Sequence, residues 1–281
     1  VQLMVTLGDM IRVPGSKGTL AQQRAKGSDI RPVYDPLDAL RIARENPEKT
    51  VVFFAIGFET STPMTAALLA AAEAEGIENL LFHINHVLVP PAIHAVMADG
   101  VAKVNAFIGP SHVSVITGAD IYLPIVQRYQ VPVVVSGFEP VDVMEALLMM
   151  VRQKVEGRYA LEVQYSRAVT ASGNKAAQRL VERFFETREH FRWRGLGDIN
   201  ASALRLRDAF AKRDAERVFA LNQTPIDDHK ACQCADILRG LAKPNQCKVF
   251  GRGCTPTQPM GSCMVSSEGA CNAYYRYMGI Q

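Results

Sequence analysis

The feature that most constrains the fold of this chain is an alternation of short apolar runs with helical segments over its first two-thirds. Most of the runs are apolar throughout, which is typical of strands that are covered on both faces. Strands that alternate with helices in this way predict an α/β fold with parallel sheets. The predicted strands are Met4–Leu7, Val51–Ile56, Leu80–Ile84, Ala106–Ile108 and Val131–Val135, and the predicted helices are Ala39–Glu45, Met64–Glu75, Ala92–Asp99 and Val143–Glu156.

Two segments repeat one local pattern, in which a buried strand runs into Gly-Phe-Glu and a helix follows. The copies lie at 51–63 and 131–143, so that Gly57 aligns with Gly137. We interpret the repeat as an internal duplication that gives two similar parallel-sheet α/β domains, although coincidence would also explain a three-residue match. The predicted domains are 1–95 and 96–164, followed by a helical connector at 165–224 and a small cysteine-rich domain at 225–281.

Local signals predict where some elements begin and end. Thr62 before Pro63 predicts an N-cap followed by the first helical residue. Asp142, with Glu145 three positions later, predicts a capping box. The segment Trp193–Gly197 contains two glycines and predicts a loop.

Ligands of open α/β sheets bind beyond the carboxyl ends of the strands, so the residues that follow the predicted strands are candidates for function. Glu59 and Glu139 also precede helices, whose dipoles are expected to lower the pKa of both carboxyl groups. The alternative is that both side chains only cap a helix or form an ion pair. His83 and His86 are spaced like metal ligands, but a strand points them to opposite faces, and we interpret both as structural. The candidates at strand ends are Asp9, Glu59, Thr60, His112, Ser114 and Glu139.

All six cysteines lie within the last fifty residues of the chain. In a chain without a signal peptide, which we expect to be cytoplasmic, such a group indicates metal binding rather than a disulfide scaffold. There is no Cys-x-x-Cys pair, so the wide spacings favour an iron–sulfur cluster, with zinc as the alternative. Cys271 precedes a predicted helix at Asn272–Tyr277, whose dipole is expected to stabilise a thiolate. The cysteines are Cys232, Cys234, Cys247, Cys254, Cys263 and Cys271.

Composition excludes several classes of protein. With 48% hydrophobic residues the chain can bury a large core, which excludes intrinsic disorder. A formal net charge of +3 is too small to indicate nucleic acid as the main partner. No apolar run is long enough to cross a membrane, and no glycine-rich phosphate-binding motif follows a strand.

Seven motifs spread over the whole chain resemble those of the HypD family of [NiFe]-hydrogenase maturation proteins. The last two are long and specific. They are GDMIRVPG (8–15), GFETS (57–61), GPSHVS (109–114), SGFEP (136–140), WRGLG (193–197), KPNQCKVFGRGCTP (243–256) and GSCMVSSEGAC (261–271).

The resemblance implies a two-lobed α/β protein with a small C-terminal [4Fe–4S] cluster domain. It assigns Cys232 and Cys263 as spare thiols, because members of the family vary there. It also implies that Asp9, Glu59 and Thr60 face a cleft, together with His112, Glu139 and Glu268. The cluster ligands that it implies are Cys234, Cys247, Cys254 and Cys271.

The function that the resemblance implies is assembly of the Fe(CN)2CO unit of [NiFe]-hydrogenase. Such a protein is a scaffold with a redox role rather than an enzyme that turns over. It would hold iron, with its cyanide and carbonyl ligands, together with a HypC-type small chaperone, and a HypE-type partner would deliver the cyanide. Electrons would pass from the cluster through a pair of thiols.

Two departures from the family pattern matter. The cysteines of the family's CGGHTH and GPGCPVC motifs would precede Val1, the first residue of this chain, and Ser111 replaces a glycine of the family. We therefore interpret the chain as N-terminally truncated and assign it no catalytic residue.

The missing motifs lead us to expect a chain that holds a cluster without supporting maturation. Restored hydrogenase activity in a strain that lacks the full-length protein would contradict that expectation. Two other classes remain open, a cluster-dependent disulfide reductase and a zinc-stapled nucleic-acid-binding protein.

Overall fold

Four parallel strands form the first sheet in the order β2-β1-β3-β4. Three parallel strands form the second in the order β5-β6-β7. The computed structural model describes residues 2–15, 17–98, 100–221 and 229–278, and only the backbone of Asp9. The strands of these two sheets are β1 (Gln2–Leu7), β2 (Ile30–Val33), β3 (Thr50–Gly57), β4 (Leu80–His86), β5 (Phe107–Pro110), β6 (Val133–Ser136) and β7 (Leu161–Val163).

Helices connect and cover the strands, and four short strands form two antiparallel pairs, β8 with β11 and β9 with β10. The short strands are β8 (Phe185–Thr187), β9 (His190–Trp193), β10 (Gly197–Asn200) and β11 (Leu204–Leu206). The helices are α1 (Leu20–Ala25), α2 (Asp38–Glu45), α3 (Thr62–Ala74), α4 (Val89–Met97), α5 (Ser111–Thr117), α6 (Leu123–Tyr129), α7 (Pro140–Val155), α8 (Lys175–Phe184), α9 (Ala215–Val218), α10 (Cys234–Leu238), α11 (Ser262–Val265) and α12 (Ala270–Tyr277). Turns of 3-10 helix lie at Gly8–Arg12, Ala119–Tyr122, Asp208–Arg213 and Pro244–Gln246.

The α/β prediction is confirmed, since all five predicted strands and all four predicted helices are present. The two Gly-Phe-Glu copies follow interior strands, β3 and β6, in their respective sheets. This agreement is compatible with a duplication, which stays a prediction.

Three positions named by the sequence predictions lie outside the described residues. They are Val1, before which the family's cysteine motifs would lie, the end of one predicted helix at Asp99, and the predicted boundary between 224 and 225.

Both predicted N-caps are wrong, the first by one residue and the second by three. Ser61 is the N-cap of α3, and Thr62 is already helical. Glu139 is the N-cap of α7, and the predicted capping box at Asp142 does not form. The reason is Pro140, whose fixed φ suits the first helical residue and moves the start toward the N-terminus. Asp142 instead accepts from the Arg167 guanidinium at 2.7 Å.

The connector differs from the helical prediction. It contains α8 and α9, but also the four short strands of the antiparallel pairs. The predicted loop Trp193–Gly197 is the turn of the β9–β10 hairpin. These short strands contain no continuous apolar run, and they are too short to be recognised from hydrophobic periodicity.

The core of the first sheet includes residues from the connector. Phe82 of β4 is fully buried and meets Phe53 of β3 edge-to-face, with ring centroids 6.3 Å apart. Phe185 of β8 and Leu206 of β11 are buried in the same cluster. The antiparallel pair β8–β11 is therefore fixed against the first sheet. Within the described residues, no helix has the length and apolar character to span a membrane.

His86, the last residue of β4, is a fully buried structural histidine. Its Nε2 lies 2.8 Å from Thr65 Oγ1 of α3, whereas His83 lies 3.7 Å from Glu216 of α9. These partners belong to different helices, which supports the prediction that both histidines are structural. Burial lowers the pKa of His86 to about 4, because the charged imidazolium would lose its hydration.

We expect this burial to make stability depend on pH. The unfolded state binds a proton near pH 6.5, and folded His86 resists it until near pH 4. Its contribution is thus present above pH 6.5 and is lost as the pH falls toward 4, amounting to about 2 kcal/mol between pH 7.5 and 5. Urea denaturation at both pH values should show a smaller pH difference for His86→Asn than for the parent chain. The exposed His112→Asn is the control, and an equal change in both variants would contradict the assignment.

Candidate functional site

The turn that follows β3 needs a glycine. Gly57 has a φ of +127°, a conformation that L side chains rarely adopt. A Cβ at this position would also clash with the hydroxyl of Ser61. That hydroxyl donates to the carbonyl oxygens of Ile56 and Phe58, each at 3.2 Å. The turn leaves Phe58 exposed and the following side chain, Glu59, buried.

Glu59 is a buried carboxyl group at the N-terminus of a neighbouring helix. Its Oε1 accepts from the backbone N–H of Val89, the first residue of α4, at 3.0 Å. Its Oε2 has no hydrogen-bond partner among the described residues. Burial raises the pKa of Glu59, against the smaller opposing effect of backbone hydrogen bonds. The predicted lowering of the Glu59 pKa is therefore wrong, because desolvation outweighs the stabilisation of the carboxylate by the helix N-terminus.

A second buried polar group, Tyr122, lies close enough to Glu59 to feel its charge. Tyr122 ends the 3-10 turn Ala119–Tyr122 and is fully buried. Burial raises the pKa of this phenol to about 12, and its hydroxyl has no hydrogen-bond partner among the described residues. The nearby Ser114 hydroxyl donates to the Pro110 carbonyl oxygen at 2.9 Å. Glu59, Ser114 and Tyr122 form a buried polar cluster that joins the end of β3 to the helix after β5. Sequence reasoning missed Tyr122, because it follows no strand and no pattern distinguishes it from a core tyrosine.

The strand ends of the second sheet present a stacked pair of rings. His112 follows β5, Phe138 follows β6, and their rings stack with centroids 4.6 Å apart. Both side chains are exposed. Glu139 is exposed too and forms an ion pair with Arg167 at 2.9 Å. For Glu139 the structure supports the simpler alternative, a helix N-cap with an ion pair.

The remaining candidates are more dispersed. Thr60 is exposed in the turn after β3, and Asp9 lies in the 3-10 turn after β1 with its side chain outside the described part. Glu268 is exposed in the loop between α11 and α12, among the cysteines rather than at the strand ends. Of these candidates, Glu59 and Ser114 both lie near Tyr122. His112 stacks on Phe138 of the Gly-Phe-Glu segment of the second sheet.

All six cysteines line one cavity in the C-terminal module. Apolar side chains, including Phe250 and Met264, complete its wall. Helices α10, α11 and α12 supply Cys234, Cys263 and Cys271, and the other three cysteines lie in loops. Five of the six are buried, and Cys232 is half-buried. The wide sequence spacings therefore correspond to convergence from separate elements, as the sequence predicts.

Two of these sulfurs form a disulfide, between Cys234 and Cys263. The four other cysteines keep their thiols. Burial raises the pKa of Cys271 to about 12, and the neighbouring Cys254, Cys247 and Cys232 add to the shift. The stabilisation of a Cys271 thiolate that we expect from the helix dipole is outweighed, because desolvation and repulsion from the other thiolates raise the pKa. The sulfurs are thus close enough together to oppose ionisation of one another.

The cysteine sulfurs that line this cavity are donors of the kind that an iron–sulfur cluster takes. A [4Fe–4S] cluster takes one thiolate per iron, so its ligands stand farther apart than those of one ion. Hydrogen bonds to sulfur also tune such clusters, and Cys254 Sγ accepts from the Met260 N–H at 3.3 Å. Of the four cysteines that the resemblance assigns to the cluster, Cys247, Cys254 and Cys271 keep their thiols, whereas Cys234 is bonded to Cys263.

The β9–β10 hairpin contacts both sites. The Trp193 ring lies 6.2 Å from that of Phe58, which precedes Glu59, and its Nε1 donates to Ser202 Oγ at 2.8 Å. Two residues further on, Gly195 has a φ of +83°, and a Cβ there would lie 3.5 Å from Cys234 Sγ. The predicted loop is therefore the connection between the strand ends and the cysteines.

The burial of Glu59 gives a test of its role. Because its pKa is raised in the folded state, the ionised form costs stability as the pH rises through that pKa. We expect Glu59→Gln to increase the free energy of unfolding at pH 7 and to change it less at pH 4. Glu139→Gln is the matched control, because an exposed ion pair contributes little at either pH. A Glu59→Gln variant less stable than the parent at pH 7 would show that the charge is compensated.

Comparison with known proteins identifies the family of this chain. A family model described as HypD, hydrogenase formation hypA family, matches residues 2–278. The hydrogenase maturation factor HypD of Azotobacter vinelandii is 51% identical over 98% of this chain and 74% of its own length. The HypD factors of Rhizobium leguminosarum bv. viciae and Escherichia coli (strain K12) are 52% and 40% identical, over 98% of this chain in each case and over 73% and 74% of their own lengths. This chain belongs to the HypD family.

Proposed function

We propose that this protein acts in hydrogenase maturation, as a scaffold with a redox role in assembly of the Fe(CN)2CO unit. Membership of the family supports the process, and one observation supports the role. The β9–β10 hairpin contacts Cys234 of the cavity lined by six cysteines and also Phe58, the residue before Glu59 of the buried polar cluster. A redox centre and a binding site connected in this way suit a protein that handles iron and delivers electrons.

The cysteine cavity would hold a [4Fe–4S] cluster in a small C-terminal domain. The ligands would be Cys234, Cys247, Cys254 and Cys271, of which the last three have thiols in the structure. When bound, such a cluster supplies one-electron transfer. The apolar wall would limit access of water and the hydrogen bond to Cys254 would influence the potential.

The strand ends would bind the iron cargo and the partner proteins. Glu59 would keep a proton more readily than an exposed carboxyl group, because its surroundings disfavour the charge. The exposed stacked pair His112 and Phe138 offers a contact for a HypC-type small chaperone, which would share the iron and its cyanide and carbonyl ligands. A HypE-type protein would donate the cyanide. The two sheets would be lobes derived by duplication, and the site of action would be the cytoplasm.

A second candidate, a cluster-dependent disulfide reductase, is favoured by one observation. Such a protein needs a redox-active pair of cysteines beside its cluster. The observation is the disulfide between Cys234 and Cys263, two cysteines that line the same cavity. The sequence predicts a different pair for this role, Cys232 and Cys263. A reductase would reduce an added disulfide substrate catalytically, and a scaffold would not.

The cluster assignment is testable by substitution. Anaerobically purified protein should be brown and carry about four iron and four sulfide per chain. We expect Cys247→Ser to lose most of this content, because a hydroxyl is a poor ligand for iron in such clusters. Cys232→Ser is the matched control and should keep the cluster when expressed in cells, where reductants are present. Full zinc occupancy, or equal iron in both variants, would contradict the proposal.

A further inference from the structure

The two parallel sheets share an arrangement of three strands. In each sheet, the strand that leads into Gly-Phe-Glu lies between two parallel neighbours, so that β1 and β4 flank β3, and β5 and β7 flank β6. The first sheet continues beyond β1 with β2, whereas no strand of the described residues pairs with the outer side of β5. The chain between β5 and β6 forms α5 and α6 instead of a further strand. The second sheet is thus one strand short of the first.

The outer side of β5 presents backbone groups that can pair with another strand. Successive residues of a strand present these groups alternately to its two sides. The Phe107 N–H donates to the carbonyl oxygen of Pro132 at 2.9 Å, toward β6. The N–H and C=O of Ile108 therefore point away from β6, to the open edge. An edge of this kind is a template for one more strand.

A groove lies beside this edge, between β5 and α7. Its volume is about 540 Å³, and its walls come from residues in and just before β5 and from the second half of α7. The lining is mostly apolar and includes Ala106, Ile108, Leu147, Val151 and Val155. Ile108 thus contributes its side chain to the groove and its backbone to the open edge.

The surface of α7 continues this apolar face. In the first sheet the helix after Gly-Phe-Glu is α3, and it packs against α2, the helix that follows β2. Leu40 of α2 and Leu68 of α3 are buried in the same cluster. On α7, by contrast, six large apolar side chains are each between 42% and 83% exposed. They are Val141, Met144, Leu147, Leu148, Val151 and Val155.

We propose that β5 and α7 form a docking surface for a strand followed by a helix, in the arrangement of β2 and α2. The strand runs parallel to β5 and pairs with the backbone of Ile108. The helix places an apolar stripe in the groove and along α7. Parallel sheets in α/β proteins are covered on both faces, and this addition covers the part of the second sheet that is open.

The occupant is the part of a longer family member that this chain does not match. This chain spans 74% of the HypD factor of Azotobacter vinelandii, so about a quarter of that relative has no counterpart here. The short stretch Ile30–Glu45 already holds both β2 and α2, so the unmatched quarter is long enough to supply such a unit. The same surface of a second copy would offer β5 itself, a strand of four residues that ends at Pro110, which has no N–H.

Co-expression tests the proposal. The unmatched segment of the Azotobacter vinelandii factor would be produced together with this chain, and we expect a complex of one chain with one segment by size-exclusion chromatography with light scattering. Amide hydrogen exchange in the peptide that contains Ile108 should be at least tenfold slower in the complex than in the chain alone. The peptide that contains Leu161–Val163, at the opposite edge of the sheet, is the control. Absence of a complex, or protection of β7 instead of β5, would overturn the proposal.

Substitution on α7 gives an independent measurement. We expect Val151→Glu to weaken binding of the segment at least tenfold, because docking would bury the introduced charge. Val218→Glu on α9 is the matched control, since Val218 is 50% exposed and Val151 is 57% exposed. Equal binding by both variants would overturn the proposal, and so would a chain that is dimeric alone and becomes monomeric with Val151→Glu. Neither measurement involves iron, so failure here would leave the proposed cluster function intact.

Discussion

Desolvation of ionisable groups is the physical constraint on which both sites depend. It keeps His86 neutral under the first sheet, favours the protonated forms of Glu59 and Tyr122 between the sheets, and opposes ionisation of Cys271. Each group lies in apolar surroundings that the packing of strands and helices creates. A charge introduced there is costly unless a partner compensates it. At both sites, a bound cation or a proton would therefore offset the cost of a buried negative charge.

The parallel sheets could be predicted because their interior strands are continuous apolar runs. Thr50–Gly57 and Leu80–His86 bury both faces, so their sequences leave little ambiguity. Leu161–Val163 and the short antiparallel strands could not be predicted. They contain no continuous apolar run, and three or four residues are too few to show an alternation of apolar and polar side chains. Their positions depend on long-range packing, such as that of Phe185 in the core of the first sheet.

The candidate site shows where reasoning from sequence fails. Glu59 was recognised by its place after a strand, but the direction of its pKa shift depends on burial that only the packed structure provides. Tyr122 gave no signal at all, since a buried tyrosine is usual in any core. Convergence of the cysteines was predictable from their grouping, whereas the pairing of Cys234 with Cys263 was not, because connectivity does not follow from spacing.

The β9–β10 hairpin has a consequence for how the two sites influence each other. Its tip holds Trp193 against the aromatic ring of Phe58 and places the backbone of Gly195, two positions further along the chain, against Cys234. Gly195 has a φ of +83° in this turn, so a residue with a side chain there would strain the backbone and disturb both contacts together.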